Sequence, residues 1–187
     1  MFSNTKRISP LKTQRLYFIF AILSVLQIPS AFSSELATSE DDKILKLARD
    51  VIKSTRYATL ATVDEDGQPR TRIVDAFAPN DDMLIYVATK PNTRKVKQIE
   101  ENHQVTLFYF DPVQFNYVSI MGNAKLIDDI AVKTKMRRES DTEKFYPNFP
   151  DDYILIEISP IWLEGLFPGY RGDPDTWMPA RVNFKLE

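Results

Sequence analysis

Along residues 43–187 the hydrophobic positions follow two different periods. Over residues 44–52 apolar side chains recur every three or four positions, which predicts an amphipathic helix capped by Asp41 or Asp42. Further along, stretches rich in β-branched and aromatic residues alternate with polar positions, as is typical of half-buried strands. Strands are predicted at residues 57–63, 70–77, 83–88, 105–110, 115–127 and 153–158, with residues 161–167 and 180–184 as further extended segments.

The segments between these strands contain turn residues and two more helical patterns. Asp64–Gly67 and residues 78–82 predict tight turns, and Pro160 is expected to end a strand. Helices are predicted at residues 93–101 and 128–139, followed by a loop over residues 140–152. Strands that follow one another through short turns pair antiparallel, and closure into a barrel removes their exposed edges. The pattern therefore predicts a mainly β fold with peripheral helices, an antiparallel barrel of six to seven strands.

Residues 1–33 have a different character from the rest of the chain. Four basic residues precede an apolar stretch at 16–26, which is followed by small residues near Ser33 and Ser34. This order is typical of a secretory signal peptide, and the apolar stretch is shorter than the roughly 20 residues of a membrane-spanning helix. We expect a signal peptide over 1–33, a linker over 34–42 and one domain over 43–187. Cleavage would give an exported protein, periplasmic or secreted, with no stable membrane span. The alternative is an uncleaved N-terminal anchor.

Composition excludes several kinds of site. The chain has no cysteine, so disulfides, iron–sulfur clusters, zinc–thiolate sites and cysteine nucleophiles are excluded. His103 is the only histidine, so a metal site built from several histidines is excluded as well, and we predict no metal. Without the leader, 20 basic residues stand against 26 acidic ones. A net acidic domain without a basic patch is not expected to bind nucleic acid.

A group of cationic and hydroxyl side chains forms the candidate binding site. Arg72 lies on the second predicted strand, and Thr89, Thr93, Arg94 and Lys95 lie where the third strand meets a helix. Helix N-termini, arginine and lysine all suit a phosphate group. The alternative is that Thr93 or the neighbouring asparagine only caps the helix, with the two cations in solvent.

Five blocks of sequence carry a resemblance to a known family: residues 67–74, 89–95, 98–102, 105–108 and 118–125. In order and spacing they resemble the pyridoxamine-phosphate-oxidase family. The resemblance implies a split β-barrel that forms a homodimer, with FMN at the subunit interface. It places Arg72, Ile73 and Val74 along the cofactor, with Thr89 at the end of strand three. Thr93, Arg94 and Lys95 match the family's phosphate-binding residues.

The chain departs from that family at three places. A lysine that touches flavin and substrate is replaced by Phe77, a flavin-contacting glutamine is replaced by Tyr117, and the C-terminal arginine motif is not recognisable in residues 177–184. The chain is therefore more similar to the short general-stress-protein branch than to a true pyridoxamine phosphate oxidase. We expect an FMN-dependent oxidoreductase without an identified substrate or catalytic residue. The alternatives are a non-catalytic flavin-binding or haem-binding protein, with His103 as the haem ligand, and a deazaflavin-dependent reductase.

The remaining polar and aromatic candidates have simpler interpretations. His103 is expected at the end of a helix, on the surface. Asp75 is expected either on the surface or near the flavin. Trp162 and Trp177 are expected in the core, at a dimer contact or stacked on the flavin ring. A cluster of cations is expected to form one solvated helix face: Lys133, Lys135, Arg137 and Arg138.

Overall fold

The structure is a computed structural model, and it describes residues 39–185. The predicted signal peptide and residues 34–38 of the predicted linker lie outside the described residues. In chain order the elements are α1 (Glu40–Thr55), β1 (Ala58–Val63), β2 (Pro69–Val74), β3 (Ile85–Thr89), α2 (Arg94–Glu101), β4 (Gln104–Asp111), β5 (Asn116–Ile127), α3 (Ile130–Lys135), α4 (Glu139–Phe145), β6 (Ile154–Leu166) and β7 (Ala180–Asn183). None of the helices within this range is both long and apolar enough to cross a bilayer.

The seven strands form one antiparallel sheet. Its order is β2-β1-β4-β5-β6-β3, and β7 pairs with the second half of β6. No continuous ladder joins the two ends, β2 and β3. A single bridge between Ala76 and Val87 connects the segment after β2 to β3, and Phe77 N–H donates to the Tyr86 carbonyl at 2.8 Å. The predicted antiparallel barrel of six to seven strands is thus confirmed as a split, incompletely closed sheet.

The concave side of the sheet and helix α1 enclose the core. Along β1 the inward positions alternate with outward ones, as the period of two in the sequence predicts. Helix α1 places Ile44, Ala48, Val51 and Ile52 against the same apolar cluster. The side chains that fill the centre are almost entirely removed from water: Leu60, Leu107, Ile120, Ile156, Ile158 and Leu163. Burial of such side chains stabilises the fold by about 1.5–3 kcal/mol each.

Helix α1 begins with Ser39, and not with the predicted Asp41 or Asp42, as its cap. The Ser39 hydroxyl accepts a hydrogen bond from Asp42 N–H, and the Asp42 carboxylate accepts one from Ser39 N–H, both at 3.1 Å. This reciprocal pair is a capping box, which satisfies two main-chain donors at once. Helix α1 therefore begins inside the stretch predicted to be a linker.

Strand β6 continues past Pro160, where the sequence predicted that the strand would end. Pro160 pairs with Gly122, and the register of β5 against β6 shifts between Met121 and Gly122. On its other side Pro160 falls between the residues that pair with β3 and those that pair with β7. A proline is tolerated at such a bulge, because no ladder there depends on its missing N–H.

The predicted helix over residues 128–139 is two short helices, and this prediction was wrong. Helix α3 ends at Lys135 and α4 begins at Glu139, with Arg138 in an extended conformation between them. The Arg138 guanidinium donates to the Ala76 carbonyl at 2.9 Å and lies over the Phe77 ring at 4.1 Å. These tertiary contacts favour the break over helical continuation.

The same region corrects the prediction of one solvated cationic face. Lys133 is 5% exposed, and its ammonium group donates to the Asp128 carboxylate and to the Pro150 carbonyl, both at 2.7 Å. Lys133 therefore ties α3 to the loop before β6. Lys135 and Arg137 are exposed, as predicted.

Candidate functional site

Arg72 lies on edge strand β2 with its side chain directed across β1. Its Nη1 donates to the Thr62 hydroxyl at 2.7 Å and to the Leu60 carbonyl at 3.3 Å, and its Nη2 donates to Gln98 Oε1 at 2.9 Å. Gln98 comes from helix α2, so Arg72 joins the sheet to the helix that follows β3. A planar guanidinium held on two sides is preorganised to bind an anion with its remaining donors.

Thr62 and Gln98, neither of which was predicted as a site residue, orient Arg72. They are 1% and 8% exposed, and the Thr62 hydroxyl donates to Gln98 Oε1 at 2.6 Å. Thr62 occupies an inward position of β1, in alternation with Ala58 and Leu60. The sequence could have indicated Thr62 as a site residue, because it is a polar residue at an inward strand position and a buried hydroxyl requires a hydrogen-bond partner.

Lys95 and two threonines form the second part of the site. The Lys95 ammonium donates to the Thr89 hydroxyl at 2.8 Å, and the Thr89 and Thr93 hydroxyls lie 3.4 Å apart. Thr93 occupies the N-cap position of α2, yet its side chain makes no capping hydrogen bond and donates to the Lys90 carbonyl at 3.1 Å. Thr93 is therefore the N-cap residue of α2, as the alternative interpretation had it, but without a side-chain capping hydrogen bond.

The cations of this site act on one another. Burial lowers the pKa of Arg72, and the charge of Arg94 lowers it as well. Burial also lowers the pKa of Lys95, with a second contribution from the charge of Arg72. Arg94, which is exposed, lines a groove beside Gln98 and the carboxylate-rich turn after β1. Arg72 therefore has the positive charges of Arg94 and Lys95 as neighbours, an arrangement that favours a bound anion.

Within residues 39–185 no carboxylate forms an ion pair with this cluster, although acidic side chains line the groove beside Arg94. None of Arg72, Arg94 and Lys95 has a carboxylate oxygen within 4.0 Å in that range, whereas Lys97 of the same helix is close to Glu65 and Glu101. The Thr89 hydroxyl, which accepts from Lys95, adds a neutral donor. Cations without an ion-paired carboxylate, together with a hydroxyl beside a helix start, suit a phosphate monoester. These residues thus fit the phosphate of FMN.

The other residues predicted to line the cofactor have different exposures. Ile73 is 68% exposed, while Val74 is buried in the core. Phe77 lies under Arg138, and Tyr117 packs against Phe108 with ring centroids 5.5 Å apart.

The remaining candidates lie at the surface or against other side chains. His103, at the surface between α2 and β4, has no clustered ligand residues, since residues 39–185 hold no group of three or more metal-ligating side chains. Asp75 pairs with Arg56 and Arg138. Trp162 lies under Arg181 at 4.1 Å, and Trp177 is exposed.

Comparison with known proteins identifies the family. The family described as pyridoxamine 5'-phosphate oxidase matches residues 44–165. General stress protein 26 of Bacillus subtilis (strain 168) is 31% identical over 115 residues, which cover 59% of this chain and 79% of that protein. A pyridoxine/pyridoxamine 5'-phosphate oxidase of Shewanella frigidimarina is 35% identical over 86 residues, which cover 45% of this chain and 40% of the oxidase. The chain thus matches less than half of that oxidase.

Solved structures share the fold. General Stress Protein 26 from Bacillus anthracis str. Sterne matches with a TM-score of 0.60 at 24% identity, over 75% of this chain and 98% of that one. A pyridoxamine 5'-phosphate oxidase-related, FMN binding protein from Nostoc punctiforme PCC 73102 matches with a TM-score of 0.56 at 16% identity, over 80% of this chain and 99% of that one. The chain therefore belongs to the pyridoxamine 5'-phosphate oxidase family, in the branch similar to general stress protein 26, and has the split-barrel fold.

Proposed function

We propose that this chain binds FMN and works as a flavin-dependent oxidoreductase on a substrate other than pyridoxamine phosphate. One observation carries the proposal: Arg72 is held by Thr62 and Gln98, Lys95 is held by Thr89, and neither has a carboxylate within 4.0 Å among residues 39–185. Partly buried cations without an ion-paired carboxylate favour a phosphate dianion as their partner. The FMN-binding relative from Nostoc punctiforme supports the same cofactor.

The residues of the site would divide the phosphate contacts among them. Arg72, fixed by Thr62 and Gln98, offers a planar pair of donors, while Lys95 offers a point charge positioned by Thr89. Arg94 approaches from the exposed side. A bound flavin supplies the electron transfer, and the protein supplies binding, orientation and electrostatics.

The residues at two of the three departures from the oxidase pattern support a different substrate. Phe77 holds the place of a lysine, and its ring is covered by the Arg138 guanidinium at 4.1 Å. Tyr117 holds the place of a glutamine and packs among the aromatic side chains of β4. Neither residue carries the group that the oxidase uses at that position. Oxidation of pyridoxamine phosphate is therefore not part of the proposal.

A homodimer with the cofactor at its interface completes the proposal. Its support is an exposed aromatic patch at the turn end of the β4–β5 hairpin, formed by Phe108, Phe110 and Phe115. Contiguous exposed apolar surface of this kind marks interaction sites. Phe110→Ser should shift the mass in light scattering from dimer towards monomer, while Phe145→Ser, an exposed phenylalanine of α4, should leave it unchanged. A wild-type protein that is monomeric at every concentration would count against the dimer.

The phosphate assignment can be tested by comparing FMN with riboflavin, because only FMN carries the phosphate. Replacing Arg94 and Lys95 by alanine should weaken FMN roughly a hundredfold, at about tenfold for each lost charge-assisted contact, and should leave riboflavin affinity nearly unchanged. Lys97→Ala, a matched change on the same helix with Glu65 and Glu101 as neighbours, should leave both affinities unchanged. Equal weakening of FMN and riboflavin contradicts the proposed phosphate site, as does a wild-type protein without measurable FMN affinity.

Export is the part of the proposal that rests on residues 1–33 alone. We propose that the leader is removed and that the mature protein acquires FMN outside the cytoplasm. Cell fractionation with N-terminal sequencing should find a mature chain beginning near Ser33 or Ser34 in the periplasm or the medium. That material should keep its flavin through gel filtration. A cytoplasmic chain with its leader intact contradicts this proposal and leaves the flavin site unaffected.

A further inference from the structure

The two parts of the site around Arg72 and Lys95 are carried by opposite ends of the sheet. Arg72 lies on β2, whereas Thr89 ends β3 and Lys95 lies in the first turn of α2. These two strands end the order of the sheet, and no continuous ladder pairs β2 with β3. Besides the hydrogen bond between Arg72 and Gln98, the spacing of the two parts therefore depends on how the segment after β2 is held against β3.

Few main-chain contacts close this split in the sheet. Ala76 forms a single bridge with Val87, and the Phe77 N–H donates to the Tyr86 carbonyl at 2.8 Å. By comparison, five consecutive residue pairs join β3 to β6 on its other side. A closure with so few hydrogen bonds opens more easily than a continuous ladder. The split therefore depends on contacts from outside the sheet.

Arg138, between α3 and α4, supplies such contacts with its whole guanidinium group. Its Nη2 donates to the Ala76 carbonyl at 2.9 Å, and its Nη1 lies 3.3 Å from both the carbonyl and a carboxylate oxygen of Asp75. Its Cζ lies 4.1 Å from the centre of the Phe77 ring, and Asp141 holds Nη1 from the other side at 3.4 Å. One side chain thus contacts three consecutive residues, through charge-assisted hydrogen bonds and a cation–π interaction.

We propose that Arg138 is a positioning residue for the flavin phosphate. It holds the segment after β2 against β3 and so sets the spacing between Arg72 and Lys95. The inference rests on the proposed FMN site and extends it to a side chain whose hydrogen bonds and ion pairs, within residues 39–185, go to other groups. Arginine suits this role because its flat face and fixed donors serve the ring and the carbonyls together, which a lysine ammonium cannot do.

Hydrogen exchange of the full chain without flavin tests whether Arg138 holds the split closed. In Arg138→Ala the Phe77 amide, which donates to the Tyr86 carbonyl, should exchange roughly tenfold faster, at about tenfold for a lost charge-assisted hydrogen bond. Amides of β5 should keep their wild-type rates, since faster exchange there would indicate a loss of the whole fold. Arg137→Ala is the matched control, because Arg137 lies over the Phe149 ring instead, and it should leave the Phe77 amide unchanged.

Arg138→Lys separates the geometry of the guanidinium from its charge. It should exchange at the Phe77 amide nearly as fast as Arg138→Ala, since an ammonium group does not replace the paired donors and the flat face. This variant keeps the positive charge beside Asp75, so it also supports the comparison if Arg138→Ala does not fold.

A double-mutant cycle with FMN tests the effect on the phosphate site. Arg138→Ala should weaken FMN roughly three- to tenfold and riboflavin less, because only the phosphate of FMN contacts both parts of the site. In a Lys95→Ala background, where one of those parts is already weakened, the same change should weaken FMN less than about twofold. A general loss of stability would instead weaken both flavins equally, and by the same factor in both backgrounds.

Three results overturn the inference while leaving the proposed FMN site in place. They are an unchanged Phe77 amide in Arg138→Ala, full recovery in Arg138→Lys, and equal weakening of FMN with and without Lys95. A wild-type chain that binds no FMN overturns the proposed function and the positioning role together. The exchange experiment needs no flavin, so it then still decides whether Arg138 closes the split.

Discussion

The hydrogen bonds that orient Arg72 can be weakened by a single change, Thr62→Val. Thr62 is 1% exposed, and its hydroxyl accepts from Arg72 at 2.7 Å and donates to Gln98 at 2.6 Å. Gln98 keeps its bond from Arg72 at 2.9 Å, so the variant loses two hydrogen bonds while one partner remains satisfied. We expect a loss of about 1–2 kcal/mol in the free energy of unfolding. For a domain of this size that corresponds to about 2–8 °C in the unfolding temperature.

The assay combines calorimetric unfolding with FMN titration, and Thr59→Val serves as the matched control. Thr59 lies on the same strand, and its hydroxyl has no hydrogen-bond partner among residues 39–185. Thr62→Val should lower both the unfolding temperature and FMN affinity, the latter roughly threefold to tenfold, with riboflavin affinity nearly unchanged. If Thr62→Val and Thr59→Val gave the same unfolding temperature and FMN affinity, Thr62 would not orient Arg72.

Three further predictions concern pH, packing and capping. Burial and Arg72 hold the pKa of Lys95 below the 10.5 of an ordinary lysine, so FMN affinity should fall as pH rises through that lowered pKa and the ammonium loses its proton. In a fluorescence titration, Lys95→Arg should keep FMN affinity constant at alkaline pH, and riboflavin affinity should not change with pH in either protein. If the pH dependence of FMN affinity is the same in Lys95→Arg as in the wild type, Lys95 does not bind the phosphate. Gly122→Ala should destabilise the fold by about 1–3 kcal/mol in denaturant titration, since the added Cβ would lie 2.5 Å from the Ser159 carbonyl oxygen. If the variant were as stable as the wild type, the bulge between β5 and β6 would be able to shift and make room for the methyl group. Ser39→Ala should cost about 0.5–2 kcal/mol by the same measurement, whereas no loss would show that the capping box adds nothing to stability.

The sequence predicted most elements because their patterns are local. The period of two in β1 and the glycine of its following turn, with φ of 77° at Gly67, led directly to the β1–β2 hairpin. The helical period over residues 44–52 likewise placed α1. Where the prediction was wrong, a distant contact determined the conformation. Arg138 is extended because its guanidinium contacts Ala76 and Phe77, more than 60 residues away.

The same distinction applies to the candidate site. Residue types and the family resemblance named Arg72, Thr93, Arg94 and Lys95, since phosphate binding demands cations and hydroxyls near a helix start. Only the tertiary structure showed that Thr62 and Gln98 orient Arg72, because they are 36 residues apart and meet only when α2 packs beside β1. Local periodicity thus determined the elements and the chemistry available, and long-range packing decided which groups meet, because such contacts depend on distances that no pattern of neighbouring residues contains.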